Sequence, residues 1–156
     1  MIFISDEFIH YSHSIGNNVH QLEWCTKYRY EMLKNSYIRE ELRQILYEVA
    51  NRFHIKIIES GIMPDHVHLV VQLHPSMSQS RATQLLKGAS SYELFCKFPN
   101  LRLRYPQCHL WSRGNFKDSV GRNTQENAEH YVREKNNLSN DLIRFCIENF
   151  ILITIT

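Results

Sequence analysis

The chain of 156 residues has the length of one domain and can bury a substantial core. Its 43% hydrophobic and 22% charged residues argue against disorder, while the lack of a long apolar run or of a basic and apolar leader argues against membrane insertion and secretion. The net charge of +2 is uninformative by itself, and four scattered cysteines without a CxxC pair favour a reducing, cytoplasmic location.

The N-terminal third of the chain predicts a strand followed by a helix. Residues 1–18 have no clear period and end in a Gly16-Asn17-Asn18 turn, so we expect an extra edge strand or a loosely held arm there. Alternating residues over 19–28 predict a strand. Ser36 is the predicted N-cap of a helix of about 16 residues, because apolar positions from 38 to 53 recur at helical spacing.

The middle of the chain predicts a β-hairpin and a second helix. The segments 54–62 and 66–73 are short and rich in β-branched residues, and Met63-Pro64-Asp65 supplies a bend between them. Residues 78–95 again place apolar side chains at helical spacing.

The last third predicts a loop, a strand and a helix. We expect an irregular basic loop between Pro99 and Pro106 and a fourth strand within 109–120, around Leu110-Trp111. Residues 123–136 open with a capping-box pattern and predict the final helix.

This order of elements, β-α-β-β-α-β-α, predicts an α+β fold. We expect a ferredoxin-like (RRM-like) sandwich, in which an antiparallel sheet carries helices on one face, plus a C-terminal helix. Residues 1–156 then form a single domain, with 1–18 and 141–156 as peripheral extensions.

Positive charge is concentrated in residues 101–122, where five basic residues and one acidic residue leave a net +4, against −2 in the rest of the chain. The segment also contains Tyr105, Trp111 and Phe116. Basic and aromatic side chains together can neutralise phosphates and stack on bases. A solvated surface strip over buried aromatic rings explains the same composition, so both interpretations stay open.

His66 and His68 occupy alternate positions of a predicted strand, so both imidazoles project from one face. Imidazole is a common ligand of divalent metals, and an ion held here needs at least one more ligand from elsewhere. Two half-exposed histidines on a sheet face are the alternative that spacing alone leaves open.

Tyr131 lies on the predicted final helix. A tyrosine hydroxyl is a poor nucleophile at neutral pH, but a metal that polarises a scissile phosphate makes its attack feasible. The alternative is an ordinary packing residue.

Several segments carry a more specific signal when they are taken together and in order. Residues 63–71 (MPDHVHLVV) contain two histidines around a hydrophobic residue, the HUH motif. The other segments are 23–29 (EWCTKYR), 85–91 (LLKGASS), 110–116 (LWSRGNF) with 119–121 (SVG), and 130–132 (HYV). The set resembles the single-tyrosine transposases of the IS200/IS605 insertion-sequence family over about residues 19–137, three quarters of the chain.

The resemblance implies a homodimeric, metal-dependent endonuclease and strand transferase that acts on single-stranded DNA hairpins near element ends. His66 and His68 would bind Mg²⁺ or Mn²⁺. Tyr131 would attack the scissile phosphate to give a 5′-phosphotyrosine link and a free 3′-hydroxyl that later rejoins strands. No nucleotide cofactor, small-molecule substrate or membrane partner is implied. In the family, the tyrosine helix of one subunit can complete the histidine pair of the other.

One position departs from the family pattern. The family usually has a glutamine four residues after the tyrosine as a third metal ligand, and Lys135 stands there in this chain. A protonated ammonium only donates hydrogen bonds, so it cannot bind a cation. We expect Glu134, on a neighbouring part of the same helix face, to take the third position. The alternative is a weakened site in a decayed copy.

The predicted DNA contacts are Arg81, Lys87, Arg113 and Lys117. The competing functions are a hairpin-binding descendant that has lost cleavage, a replication-initiator or relaxase-type nickase, and a structural module of the same fold. The nickases usually have further domains, for which this chain leaves little length.

Overall fold

The computed structural model describes residues 9–11, 14–16, 18–119, 133–134 and 136–137. The strands are β1 (Ile9–Tyr11), β2 (Ser14–Gly16), β3 (Val19–Cys25), β4 (Lys56–Ile62), β5 (His66–Gln72) and β6 (Phe116–Ser119). The α-helices are α1 (Ser36–Arg52), α2 (Gln79–Lys97) and the short α3 (Leu101–Arg104), and single 3₁₀ turns cover Lys27–Arg29 and Met32–Lys34. No helix in these described ranges is long and apolar enough to cross a membrane.

Four of the strands form one antiparallel sheet in the order β4-β5-β3-β6. The predicted hairpin is confirmed, since β4 pairs with β5, and the first predicted strand, β3, lies beside β5 in the middle of the sheet. The α+β class with an antiparallel sheet is therefore confirmed. Among the described residues, strands β1 and β2 pair with each other as a separate two-stranded sheet within the N-terminal extension.

The larger of two buried hydrophobic clusters lies on one face of the sheet. Alternate residues of β3 and β5, among them Leu22, Trp24 and Leu69, pack with α1 and α2 in a single cluster of buried side chains. Trp111 joins this cluster with its ring edge-on to Trp24, and its indole N–H donates to Ser90 Oγ at 3.1 Å. Because side chains alternate along a strand, the intervening residues of β3 and β5 face away from the helices.

Several predicted boundaries are wrong. Asn35, not Ser36, caps α1, because its side-chain oxygen accepts the backbone N–H groups of Tyr37 and Ile38. Residues 101–104 form one helical turn instead of an irregular loop. The strand predicted over 54–62 begins only at Lys56, because His54 adopts a left-handed conformation just after α1 ends.

The edges of the sheet also differ from the prediction. The fourth strand is Phe116–Ser119, whereas Trp111 makes only an isolated bridge to Thr26. Strand β3 ends at Cys25 rather than Tyr28, because Tyr28 and Arg29 turn the chain in the left-handed region, with φ of 61° and 52°. Most of the predicted final helix and residues 140–156 lie outside the described residues. The described residues in this part of the chain, 133, 134, 136 and 137, are helical.

Candidate metal centre and nucleic-acid interface

The two histidines of β5 lie side by side on the sheet face that points away from α1 and α2. Their ring centroids are 4.7 Å apart, with the ring planes at 77°. The His66 side chain is 18% exposed and that of His68 only 2%. Two imidazoles brought this close on a rigid strand form the start of a coordination shell.

A carboxylate from the neighbouring strand completes a cluster. Glu23 pairs directly with His68 in the register of β3 and β5, and its Oε2 lies 3.1 Å from His68 Nδ1. Ligand atoms of Glu23, His66 and His68 all lie within 4.8 Å of one another. In the part of the chain that the structure describes, no other group of three His, Cys, Asp or Glu side chains gathers in this way.

A second carboxylate orients His66 from outside this cluster. Asp65 Oδ1 lies 2.5 Å from His66 Nδ1, and Asp65 Oδ2 accepts from Arg29 at 3.2 Å. Burial opposes ionisation of Asp65, but its hydrogen bonds with His66 and Arg29 outweigh that cost and lower its pKa. An ionised carboxylate only accepts, so Nδ1 of His66 donates and, in the neutral ring, Nε2 keeps the lone pair that a metal requires.

The turn that presents Asp65 and His66 is tied to the chain just after β3. Thr26 donates to the Asp65 carbonyl from its backbone N–H at 2.8 Å and from its hydroxyl at 3.1 Å. The left-handed residues Tyr28 and Arg29 follow, and they bring the Arg29 guanidinium to Asp65. Such conformations cost about 1–3 kcal/mol each in non-glycine residues and concentrate at functional sites.

The donor set of this cluster suits a divalent cation. Two imidazole nitrogens and one carboxylate oxygen match ions such as Mn²⁺, whereas Mg²⁺ favours oxygen ligands throughout. Three protein ligands also leave positions for oxygens of a substrate.

Comparison with known proteins settles the family. Residues 15–135 match the family model described as "Transposase IS200 like". The chain belongs to the IS200-like transposases. The resemblance inferred from the five sequence segments is thereby confirmed.

Named relatives agree with this assignment. The ISDra2 transposase TnpA of Deinococcus radiodurans is 31% identical over 121 residues, which cover 75% of this chain and 86% of that protein. The transposase for insertion sequence element IS200 of Salmonella typhimurium is 29% identical over 126 residues, 79% of this chain and 82% of that protein. Relatives named as transposases imply a DNA-cleaving enzyme that acts in the transposition of insertion sequences.

Solved structures share the fold. A crystal structure from Deinococcus radiodurans R1, described as a transposase, has a TM-score of 0.68 at 25% identity and covers 82% of this chain and 98% of its own. A REP-associated tyrosine transposase bound to a REP hairpin has a TM-score of 0.53 at 14% identity and covers 80% of this chain and 67% of its own. The second likeness concerns the fold alone.

Two of the four predicted DNA contacts of this transposase, Arg81 and Lys87, lie on α2, whereas Arg113 precedes β6 and Lys117 lies in β6. Arg81 and Arg113 are exposed. Lys117 donates to Ser80 Oγ at 2.9 Å, and Lys87 donates to the Ser112 carbonyl at 2.7 Å. Burial, together with repulsion from Lys117, lowers the pKa of Lys87. Lys87 therefore also holds the 112–114 loop against α2.

The predicted C-terminal site residues are only partly covered. Tyr131 and Lys135 lie outside the described residues. Glu134 is exposed and is not part of the three-residue cluster of Glu23, His66 and His68. Its helical neighbours contact β4, because Arg133 Nε donates to Glu59 Oε2 at 3.0 Å and Asn136 donates to the Ser60 carbonyl at 2.9 Å.

Sequence reasoning missed Glu23 and Asp65. The alternation of 19–28 placed Glu23 on one strand face with Gln21, but its position opposite His68 depends on how two strands align. The adjacency of Asp65 to His66 was a usable signal, since a carboxylate next to a ligating imidazole commonly fixes its tautomer.

Proposed function

We propose that this chain catalyses metal-dependent cleavage and rejoining of single-stranded DNA through a 5′-phosphotyrosine intermediate, and so moves an insertion sequence. The observation that carries the proposal is the pair of close imidazoles at His66 and His68, beside a carboxylate, in a chain of the IS200-like transposase family. The ferredoxin-like arrangement with a C-terminal helix that carries the tyrosine belongs to the same proposal.

His66 and His68 would hold Mg²⁺ or Mn²⁺, which when bound polarises the scissile phosphate. Asp65 orients the ring of His66 and stays anionic next to Arg29. The burial of His68 keeps its ring in one orientation and limits competition from water.

Tyr131 would supply the nucleophile. Its phenolic oxygen forms a bond to phosphorus while the bond from phosphorus to the 3′-oxygen breaks, and the phenolic proton leaves so that a free 3′-hydroxyl results. In the second step a 3′-hydroxyl attacks the same phosphorus and releases the tyrosine, so no nucleotide cofactor is consumed. The contacts of Arg133 and Asn136 with β4, the neighbour of the histidine strand, support a role for this helix near the site.

The substrate in this proposal is a DNA hairpin at each element end, bound by a homodimer. A structural neighbour is bound to a REP hairpin, which supports a folded single strand as the partner. Arg81, Lys87, Arg113 and Lys117 are the proposed phosphate contacts. Glu134 is the third metal ligand expected from the sequence, and the helix of a partner subunit can deliver it in trans. It is not part of the cluster of Glu23, His66 and His68, which offers a rival for that position.

A second candidate is a protein that binds such hairpins without cutting them. Lys135 favours it, because a positive charge in place of a neutral ligand opposes metal binding. Divalent-dependent formation of a covalent adduct separates the two functions.

The test is to incubate the full chain with single-stranded DNA from both flanks of its own gene and with Mn²⁺ or Mg²⁺. We expect a denaturation-resistant protein–DNA adduct that disappears in Tyr131→Phe and His66→Ala. The matched controls are Tyr92→Phe and His74→Ala, which change an exposed tyrosine and an exposed histidine and should leave the adduct intact. Tight hairpin binding without an adduct under either metal would establish the second candidate.

A further inference from the structure

We propose that Glu23, on the strand next to the histidines, is the third protein ligand of the ion held by His66 and His68. The inference rests on the proposed function, since it concerns the same ion. It assigns the third position to a side chain of the central sheet, in place of Glu134 on the C-terminal helix.

The position of Glu23 follows from strand pairing. It lies directly opposite His68 in an antiparallel pair, where Cβ atoms are about 4.5–5.5 Å apart and both side chains leave the same face. His66 lies two residues before His68 on the same face of β5. Rotation of side chains alone can close the remaining distance, because the ligand atoms already lie within 4.8 Å of one another.

The role of Glu23 differs from that of Asp65. Asp65 contacts Nδ1 of His66 from the turn before β5, and it is not part of the three-residue group. Glu23 projects from another strand, and its Oε2 contacts His68 Nδ1 at 3.1 Å. Unlike Asp65, it also has a carboxylate oxygen within 4.8 Å of a ligand nitrogen of each of the two histidines, which is the placement required of a shared ligand.

The electrostatics favour the same assignment. A divalent cation beside two neutral imidazoles on a partly buried face retains its whole charge, and a carboxylate neutralises half of it. Glu23 is 29% exposed and His68 is almost fully buried, so the attraction between ion and carboxylate is less screened than at an open surface. The resulting site has two nitrogens and one oxygen, and we expect it to bind Mn²⁺ more tightly than Mg²⁺.

The first experiment measures Mn²⁺ binding to the full chain without DNA, from the electron paramagnetic resonance signal of the free ion. We expect Glu23→Gln to weaken binding by about 100-fold or more, beyond the roughly 10–100-fold that loss of an outer-shell partner costs. Glu48→Gln is the matched control, because it makes the same change at an exposed carboxylate of α1, on the other side of the sheet. Glu134→Gln tests the rival ligand, and both of these variants should bind Mn²⁺ like the wild type.

The second experiment separates a ligand from an orienting group. Co²⁺ substitutes for the ion, and its visible absorption reports the ligands that bind it directly. A changed band in Glu23→Gln supports ligation, whereas weaker binding with an unchanged band overturns the proposal, because Glu23 would then act only through His68. Unfolding temperatures without metal show whether the variant is folded, and Glu23→His, which keeps a ligand at this position, should retain Co²⁺ with a shifted band.

The controls keep this proposal distinct from the proposed function. If His66→Ala abolishes Mn²⁺ binding and Glu23→Gln does not alter it, only the assignment of Glu23 fails. If His66→Ala binds Mn²⁺ like the wild type, the metal site of the proposed function fails together with it.

Discussion

The two faces of the four-stranded sheet are built from the same strands but differ in role: one forms the core with the helices, and the other carries the candidate metal centre. The face that meets α1 and α2 is mainly apolar, and Leu22, Val67 and Leu69 on it are fully buried. The opposite face carries Glu23, His66 and His68 in neighbouring positions of the same two strands. Each step of one residue along β3 or β5 changes the sheet face on which the side chain lies.

This difference shows how firmly the core holds the site in place. A shift of one residue in the pairing of β3 with β5 would move the histidines into the core and leave their apolar neighbours exposed. The cost of exposing those side chains, at about 25 cal/mol per Å² of apolar surface, opposes such a slip. The apolar face therefore sets the register that brings Glu23 opposite His68.

The first prediction, with the largest expected change in the free energy of unfolding, concerns the apolar face of the sheet. Leu69→Ala should destabilise the protein by about 2–5 kcal/mol, because it leaves a cavity under α1 and α2. Urea unfolding measures the change, and Leu103→Ala is the matched control, since Leu103 is 85% exposed and should cost no more than about 0.5 kcal/mol. Equal losses in the two variants would contradict the burial of Leu69 in the helix-side core.

The second prediction, with a smaller expected effect, tests the hydrogen bond between Trp111 and Ser90 in that core. Ser90→Ala removes the acceptor of the Trp111 indole N–H and leaves a buried donor unpaired, at a cost of about 1–3 kcal/mol. Ser91→Ala on the same helix is the control, because it brings the same change in helix propensity to a half-buried side chain. Thermal and urea unfolding of the two variants measure the contribution of the hydrogen bond to stability. Equal stability of Ser90→Ala and Ser91→Ala would contradict a stabilising hydrogen bond between Ser90 and Trp111.

The third prediction concerns alkaline pH. Tyr105 packs in the helix-side core between Tyr30 and Phe95, and burial raises its pKa to about 12. Its pKa in the unfolded chain is about 10, so the unfolded state loses the proton first and the free energy of unfolding falls as pH rises from about 10 to 12. Tyr105→Phe should lose less stability over that range in urea titrations. Parallel curves for the two proteins would contradict a buried, neutral phenol.

The smallest effect concerns the edge of the sheet at β6. Arg113→Ala should weaken hairpin binding modestly and reduce the slope of log affinity against log salt by about 1, because one phosphate contact is lost. Arg52→Ala is the matched control, since Arg52 ends α1 and its guanidinium is paired with Glu93 at 3.0 Å. Fluorescence anisotropy across a salt series gives both slopes. The same slope in wild type and Arg113→Ala would place the DNA elsewhere.

Much of the fold was predictable because hydrophobic period is a local property. The spacing of apolar residues located α1, α2 and the β4–β5 hairpin to within a few residues. Local signals failed where two residues compete for one role, as with Asn35 and Ser36 at the start of α1. They also failed where pairing decides the outcome, as with Trp111, which bridges Thr26 while the strand forms at Phe116–Ser119.

For the site, the amino-acid sequence by itself determined that His66 and His68 share a face and that the chain resembles IS200-like transposases. Both follow from patterns within short segments, since alternation along one strand needs no partner. Only the tertiary structure decided that Glu23 joins the histidines and that Asp65 and Arg29 orient one of them. The physical reason is that these contacts depend on strand register and on a left-handed turn, which packing across more than 35 residues of chain selects.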